Sequence, residues 1–255
     1  MTMRLRVLLC VVAGAQFLAA SIAPISPCTV GTLASYMAGT GQCYVGTDQV
    51  YSMFGFSVLS SSGGVVPIDA TQVLVTPLAE GLNFSSEFFQ VSGTQSVIYQ
   101  VSYTGSFIPN VGSAGNSGAP GTISTDDDPV SNAMSSMKQK APGNSGGGET
   151  KAKKHLCIGA VFNGTLCSGS TAELDLFDDG ISPVLTASVA FFPVSTIGIL
   201  ETIELDANGG TAGIAGIDNT FLGSASSTPE PYSGLLCAVG LFGIICCRRG
   251  FGQRG

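Results

Sequence analysis

Two acidic clusters in the sequence could supply oxygen ligands for a cation. One is the run Asp126 to Asp128, and the other is DLFDDG, which contains Asp175, Asp178 and Asp179. Calcium loops place carboxylates at alternate positions and close with a glutamate, and neither cluster has that register. Adjacent carboxylates in a glycine-rich turn are usually only solvated. The sequence therefore predicts no metal site, with Asp175, Asp178 and Asp179 as the better candidates if calcium binds.

A second candidate for chemistry is GNSGG, at Gly143 to Gly147, which resembles the nucleophile segment of chymotrypsin-like serine proteases. Such a serine needs a histidine base and a carboxylate that orients it. That family places its histidine far upstream of the serine, whereas the single histidine here, His155, follows Ser145 by ten residues. The motif is therefore interpreted as a coincidence of glycine-rich sequence, and we predict neither enzyme activity nor a cofactor.

Cysteine usage indicates an exported protein. Of eight cysteines, Cys10 lies in the N-terminal apolar segment and three lie in the C-terminal tail; the four that remain are Cys28, Cys43, Cys157 and Cys167. An even number in an exported chain predicts two disulfides. Three pairings are possible, and the nearest-neighbour pairs Cys28–Cys43 and Cys157–Cys167 are favoured. Zinc is the alternative, but neither pair has CxxC spacing and only one imidazole is available.

The charge distribution argues against anionic partners. Charged residues make up 11% of the 255-residue chain, and the sequence has 35 glycines but no tryptophan. Between the two apolar ends there are 5 lysines and all 17 acidic residues, so that part carries 5 − 17 = −12 formal charges. Phosphates attract cations, and we therefore expect no nucleic-acid partner.

The middle of the chain has the texture of an all-β domain. Short segments rich in Val, Ile, Thr, Tyr and Phe alternate with turn residues; they are QVYSMFGFSVL, ATQVLVTP, SVIYQVSYTG, VLTASVAFFPV and TIGILETIEL. In SVIYQVSYTG, Val97, Tyr99, Val101 and Tyr103 should point to one side because side chains alternate along a strand. The pattern predicts an antiparallel β-sandwich, jelly-roll-like, over residues 24–228.

One segment, residues 110–154, interrupts this pattern. It is rich in Gly, Ser and Pro and has few large apolar residues. Such a composition cannot bury enough surface to offset the entropy of ordering. It is therefore predicted to be a disordered insertion between two strands.

The N-terminal segment, residues 1–23, has the order of a secretory signal peptide. Arg4 and Arg6 precede an apolar stretch from Val7 to about Ala20, which small residues follow. We predict a signal helix here, with cleavage between Ala20 and Ala23.

The C-terminal tail, residues 229–255, joins Pro229-Glu230-Pro231 to an apolar run that ends at Arg248 and Arg249. Residues 232–247 are predicted to form a short transmembrane helix, because the flanking arginines can reach the membrane interface. Positive charge holds that end on the cytoplasmic side, which places the acidic domain outside.

Over residues 229–249 the tail resembles the PEP-CTERM sorting signal of certain Gram-negative bacteria. The resemblance implies that an exosortase-type membrane protease recognises Pro229, Glu230, Pro231, Arg248 and Arg249. It also implies an inner-membrane-anchored precursor that is then passed to the cell surface or the exopolysaccharide matrix. This sequence departs from the pattern at Cys246-Cys247 and in the six residues after the arginines.

The domain itself resembles an uncharacterised group of secreted PEP-CTERM proteins. The resemblance rests on GTLASY between two cysteines and on TIELDANGGTAGIAGIDNTF. That group implies a β-sandwich but no activity. The leading hypothesis is a surface or matrix protein with a structural or adhesive role in association with exopolysaccharide. The alternative is a small-ligand, carbohydrate or ice-binding β-sandwich module.

Overall fold

The computed structural model describes residues 25–38, 41–46, 48–107, 130–140 and 144–223. These residues form one short helix, α1 (Leu33–Met37), and sixteen strands. In chain order the strands are β1 (Ser26–Pro27), β2 (Gly31–Thr32), β3 (Cys43–Val45), β4 (Gln49–Ser62), β5 (Leu74–Leu78), β6 (Gly81–Ser85), β7 (Gln90–Ser92), β8 (Ser96–Phe107), β9 (Val130–Gln139), β10 (Glu149–Ile158), β11 (Phe162–Asn163), β12 (Leu166–Cys167), β13 (Ser170–Asp178), β14 (Thr186–Val194), β15 (Thr196–Asp206) and β16 (Thr211–Gly223).

Two sheets contain nearly all of these strands. Sheet A has the order β1-β3-β4-β8-β15-β10-β13. Sheet B has the order β14-β9-β16-β6-β5-β2, and β7 also pairs with β16. The strand pairs are antiparallel except for β1 and β3, which are parallel. The small hairpin β11–β12 pairs only with itself and forms a separate two-stranded sheet.

The two sheets pack face to face, and aromatic side chains fill the space between them. The ring of Phe84 on β6 lies 5.3 Å from that of Tyr103 on β8, and Phe221 on β16 lies 6.2 Å from Tyr51 on β4. The predicted alternation on β8 is confirmed, since Val97, Tyr99, Val101 and Tyr103 are all buried. Burial of these side chains supplies the main favourable term in folding. The all-β sandwich prediction is thereby confirmed at the level of fold class.

The predicted disordered insertion, residues 110–154, is wrong over much of its C-terminal part. Val130–Gln139 is β9, which pairs with both β14 and β16 inside sheet B. Glu149–Ile158 is β10, which pairs with both β13 and β15. Small side chains do not prevent strand formation where two neighbouring strands satisfy the backbone hydrogen bonds. Residues 110–129 and 141–143 of the segment lie outside the described residues.

Both predicted disulfides are present. Cys28–Cys43 ties the chain just after β1 to β3, and Cys157–Cys167 ties β10 to β12. The paired cysteines are 15 and 10 residues apart in the sequence, respectively, so each disulfide closes a short loop. In the chain-entropy model each such link stabilises the fold by about 3 kcal/mol.

The helix of the described ranges, α1, has five residues, and no helix in these ranges is long and apolar enough to span a membrane. The predicted signal helix at 1–23 and transmembrane helix at 232–247 lie outside those ranges.

Candidate functional site

The outer face of sheet A carries rows of polar side chains at right angles to its strands. Gln100 on β8 pairs in register with Thr202 on β15, Thr202 with Lys153 on β10, and Lys153 with Asp175 on β13. Because alternate residues share a face, all four side chains point away from the core. Neighbouring strands are about 4.8 Å apart, so this row spans about 14 Å.

A second row lies two residues further along the same strands. It runs from Ser102 through Leu200 and His155 to Glu173. His155 Nδ1 lies 3.4 Å from Glu173 Oε2, and Lys153 also contacts that carboxylate. The Lys153 contact, followed by the nearby His155, lowers the pKa of Glu173. The two rows thus join donors and acceptors into one polar surface.

The hairpin β11–β12 turns this surface into a groove of about 530 Å³. Phe162 and Leu166 stand at its edge, and Gln100, Thr202 and His155 lie along it. The hairpin can cross β15 because residue 198 is glycine: a Cβ there would lie 2.9 Å from the Phe162 nitrogen. The disulfide Cys157–Cys167 fixes the hairpin to β10. The wall and the floor of the groove are therefore held rigidly together.

A second group of polar residues lies inside the sandwich. Lys154 and Glu201 are directly opposite each other on β10 and β15, and their side chains point toward sheet B. Asn219 and Ser135 are directly opposite each other on β16 and β9, and they meet the first pair across the core. All four are at most 1% exposed. We call these four residues the buried polar cluster.

Hydrogen bonds connect the buried polar cluster through Asn219. The Lys154 ammonium donates to Asn219 Oδ1, and the Ser135 hydroxyl donates to the same oxygen at 3.0 Å. Asn219 Nδ2 donates to Glu201 Oε2 at 2.7 Å. Two buried atoms have no hydrogen-bond partner among the described residues: Glu201 Oε1 within the cluster and the Tyr103 hydroxyl beside it. The oxygen and the nitrogen of the Asn219 amide therefore each contact a group that can give or take a proton.

Burial shifts the titration of the cluster toward its neutral forms. It lowers the pKa of Lys154 from 10.5 to about 8, although the Glu201 carboxylate acts in the opposite direction. It raises the pKa of Glu201, with Lys154 and Asn219 opposing the rise. Burial and the charge of Glu201 hold the pKa of Tyr103 well above its usual range. Charged groups are costly in this apolar interior.

The structure does not bring the three candidate calcium ligands together. Asp175 is exposed on the outer face and contacts Lys153 at 3.5 Å. Asp178 is buried and accepts hydrogen bonds from Gln139 Nε2 and the Gly180 nitrogen. Asp179 accepts from the Ile181 and Ser182 nitrogens in a turn. Within the described ranges, no three His, Cys, Asp or Glu side chains are grouped so that they could hold a metal ion.

Ser145 of GNSGG is fixed by β16 rather than by His155. Its backbone exchanges two hydrogen bonds with Thr211, both 3.0 Å, and its hydroxyl lies 2.8 Å from the Thr211 hydroxyl. The described part of the motif is thus a turn packed on sheet B, not part of a flexible insertion. The sorting residues Pro229, Glu230, Pro231, Arg248 and Arg249 lie outside the described residues.

Comparison with known proteins adds little to this picture. The sequence matches no family model and no curated protein. A solved structure of TmCBM61 in complex with beta-1,4-galactotriose is similar at 14% sequence identity and a TM-score of 0.33, over 67% of this chain and 88% of that chain. Neither the fold nor a ligand of the present chain is inferred from that match.

Proposed function

We propose that the chain is an exported surface or matrix protein that binds a neutral polysaccharide on the outer face of sheet A, in the groove and along the polar row that continues from it. The observation that supports this most directly is the row Gln100, Thr202, Lys153 and Asp175. It offers hydroxyl, amide, ammonium and carboxylate groups across about 14 Å of one flat face. An extended hydroxyl-rich chain can both donate to and accept from such groups.

The charge of the protein favours a neutral ligand over an anionic one. The chain carries a net formal charge of −7, and its sequence isoelectric point is near 4.5. The lysine and the histidine of the rows, Lys153 and His155, both face the Glu173 carboxylate. A polymer that bears phosphate or carboxylate groups would meet repulsion from the rest of the molecule. Export is supported by the two disulfides, which form in oxidising compartments, and by the tail sequence.

The polar row is tested with a matched pair of lysines. Lys153 and Lys138 are both about half exposed, and each contacts a carboxylate, but Lys138 lies on sheet B. Lys153→Ala is expected to weaken binding of the protein to the neutral fraction of the host's exopolysaccharide by about tenfold, since a hydrogen bond to a charged group contributes about 1.5–3 kcal/mol. Lys138→Ala should leave the affinity unchanged. Affinity electrophoresis or calorimetry measures the difference.

Equal affinities for the two lysine variants would exclude the Lys153 end of the row from the binding surface. No binding by the unchanged protein to any neutral polymer of the matrix would remove the proposed function itself. Gln100→Ala serves as a second groove variant, with exposed Gln90→Ala on β7 as its control. Circular dichroism of each variant shows that it has folded.

Sorting by the tail is a separate part of the proposal. Glu230→Ala with Pro231→Ala keeps the apolar run and its arginines, so membrane insertion should continue. Processing should fail, and a full-length form should accumulate in the membrane fraction of a bacterium that has an exosortase. Fractionation and immunoblotting measure the full-length and trimmed forms, with Leu235→Ile as the control. A double variant trimmed and released like the unchanged chain would contradict the sorting role of Pro-Glu-Pro.

A further inference from the structure

The buried polar cluster places an amine and a carboxamide in contact in a dry interior. Lys154 and Asn219 come from different sheets and meet between the aromatic rings of the core; the Lys154 nitrogen lies 5.9 Å from the centre of the Phe221 ring. Neither end of this contact is exposed to solvent. An amine held against an amide carbonyl is a nucleophile beside an electrophile, and pre-formed contact removes the entropy of bringing them together.

We propose that Lys154 and Asn219 join in an intramolecular amide bond that links sheet A to sheet B. The Lys154 nitrogen attacks Asn219 Cγ and forms a new carbon–nitrogen bond. The bond from Cγ to Nδ2 breaks, and the Asn219 side-chain nitrogen leaves as ammonia. The step is a transamidation in which nothing is oxidised or reduced, so it requires no added reagent.

The other members of the cluster stand where such a reaction needs them. Ser135 donates a hydrogen bond to Asn219 Oδ1, the atom on which negative charge develops as the carbonyl is attacked. Glu201 accepts a hydrogen bond from Asn219 Nδ2, the nitrogen that must leave. It also lies in register opposite Lys154. The Glu201 carboxyl group therefore contacts the leaving nitrogen and belongs to the residue paired across the strands with the attacking lysine.

The protons balance through Glu201. The Lys154 ammonium gives one proton to the Glu201 carboxylate and becomes the neutral nucleophile. After attack, Glu201 passes that proton to the leaving nitrogen, which departs as ammonia. The carboxylate then takes the surplus proton from the new amide nitrogen and ends protonated. The lowered pKa of Lys154 and the raised pKa of Glu201 both favour the neutral pair that the first proton transfer produces.

Two features of the cluster fit a reactive site better than a hydrogen-bonded network that serves stability alone. Such networks are stabilising when every buried polar atom has a partner, yet Glu201 Oε1 has none among the described residues. The Tyr103 hydroxyl, also without a hydrogen-bond partner there by distance and angle, lies close enough to Asn219 and Glu201 for both to influence its titration. Buried unsatisfied atoms of this kind are rare and call for a reason.

Mass spectrometry of the exported full chain tests the proposal. After reduction and alkylation of the cysteines, the intact mass is expected to be one ammonia less than the mass calculated for the alkylated chain between its determined N- and C-terminal residues. Proteolysis should yield one branched peptide in which Lys154 is joined to Asn219. A folded protein with the full mass, and with Lys154 and Asn219 in separate peptides, would overturn the proposal without reference to any variant.

Variants then separate the roles of the cluster residues. Lys154→Met should have no mass deficit, whereas Lys153→Met, on the outer face one residue away, should keep the deficit. Glu201→Gln keeps the size of the side chain and its acceptor oxygen, and it should fold but show less than a tenth of the cross-linked form. Near-ultraviolet circular dichroism verifies that fold. Cross-linking of Glu201→Gln to the same extent and at the same rate as the unchanged protein would overturn the proton-transfer role given to Glu201.

Discussion

Replacing Val130–Gln139 with a glycine-serine linker of equal length is expected to abolish folding. This strand, β9, lies between β14 and β16, and it hydrogen-bonds to both. Its removal would leave the facing edges of two strands unpaired and would expose the core beneath Ala133 and Met137. Buried backbone groups without partners are each costly, and a single domain has only about 5–15 kcal/mol of stability to lose. Far-ultraviolet circular dichroism should show loss of the β signal, and urea titration should show that cooperative unfolding is lost.

The control for that replacement uses the two faces of the same strand. Met137 points into the core and is 4% exposed, whereas Met134 points outward and is 39% exposed. Met137→Ser should lower the free energy of unfolding by more than 2 kcal/mol, while Met134→Ser should change it by about 0.5 kcal/mol or less. A linker variant that still unfolds cooperatively with the midpoint of the unchanged protein would show that β9 is dispensable.

The failure of the sequence prediction at β9 has a physical explanation. The segment VSNAMSSMKQ has small and polar residues, so its side chains alone do not indicate burial. In the structure the inward positions of β9 are Ala133, Ser135 and Met137, which suit a narrow space between sheets. What holds the strand is pairing on both edges, and a strand's neighbours cannot be read from its own sequence. Segments with strong alternation, such as β8 and β15, were predictable because their own side chains carry the signal.

The buried polar cluster was missed for a related reason. Lysine, glutamate and asparagine are normally exposed, so the sequence predicts that Lys154 lies at the end of a polar insertion. A period-two reading of ETKAKKHLCI would have found it, because Lys154 falls in step with Ala152 and Leu156. In the same way Glu201 falls in step with Ile199 and Ile203 on β15. A charged residue within an otherwise apolar inward register is the signal to look for.

The groove depends on features that no local pattern specifies. Its rows come from the register between four strands that are far apart in sequence, and register is fixed by pairing across the whole sheet. The sequence favours the disulfide that anchors its wall, because nearest-neighbour pairing gives the shortest loops among the three possible pairings. That the hairpin crosses the outer face at Gly198, however, follows only from the three-dimensional structure. Thus the sequence predicts the disulfide Cys157–Cys167 but not the groove that this disulfide helps to shape.

Phe221→Ala is expected to cost about 3–5 kcal/mol of unfolding free energy, the usual range for truncating a buried phenylalanine. Phe221 is fully buried on β16, and its ring lies 5.8 Å from that of Phe107 and 6.2 Å from that of Tyr51 on sheet A. The ring therefore fills space between the sheets that no neighbouring side chain can occupy without moving, and truncation leaves a cavity there. Urea denaturation of the purified protein gives the free energy, with an unchanged slope expected.

Phe192 is the matched control, because it is the same residue type on β14 but 90% exposed. Phe192→Ala removes the same atoms from a surface already in water, so its effect should stay within about 0.5 kcal/mol. The contrast isolates the contribution of the space between the sheets from that of the phenylalanine itself. A loss below about 1 kcal/mol for Phe221→Ala, or equal losses for the two variants, would contradict the packing of β16 against sheet A. That packing is also what holds Asn219 against Lys154, since Phe221 and Asn219 are two residues apart on one face of β16.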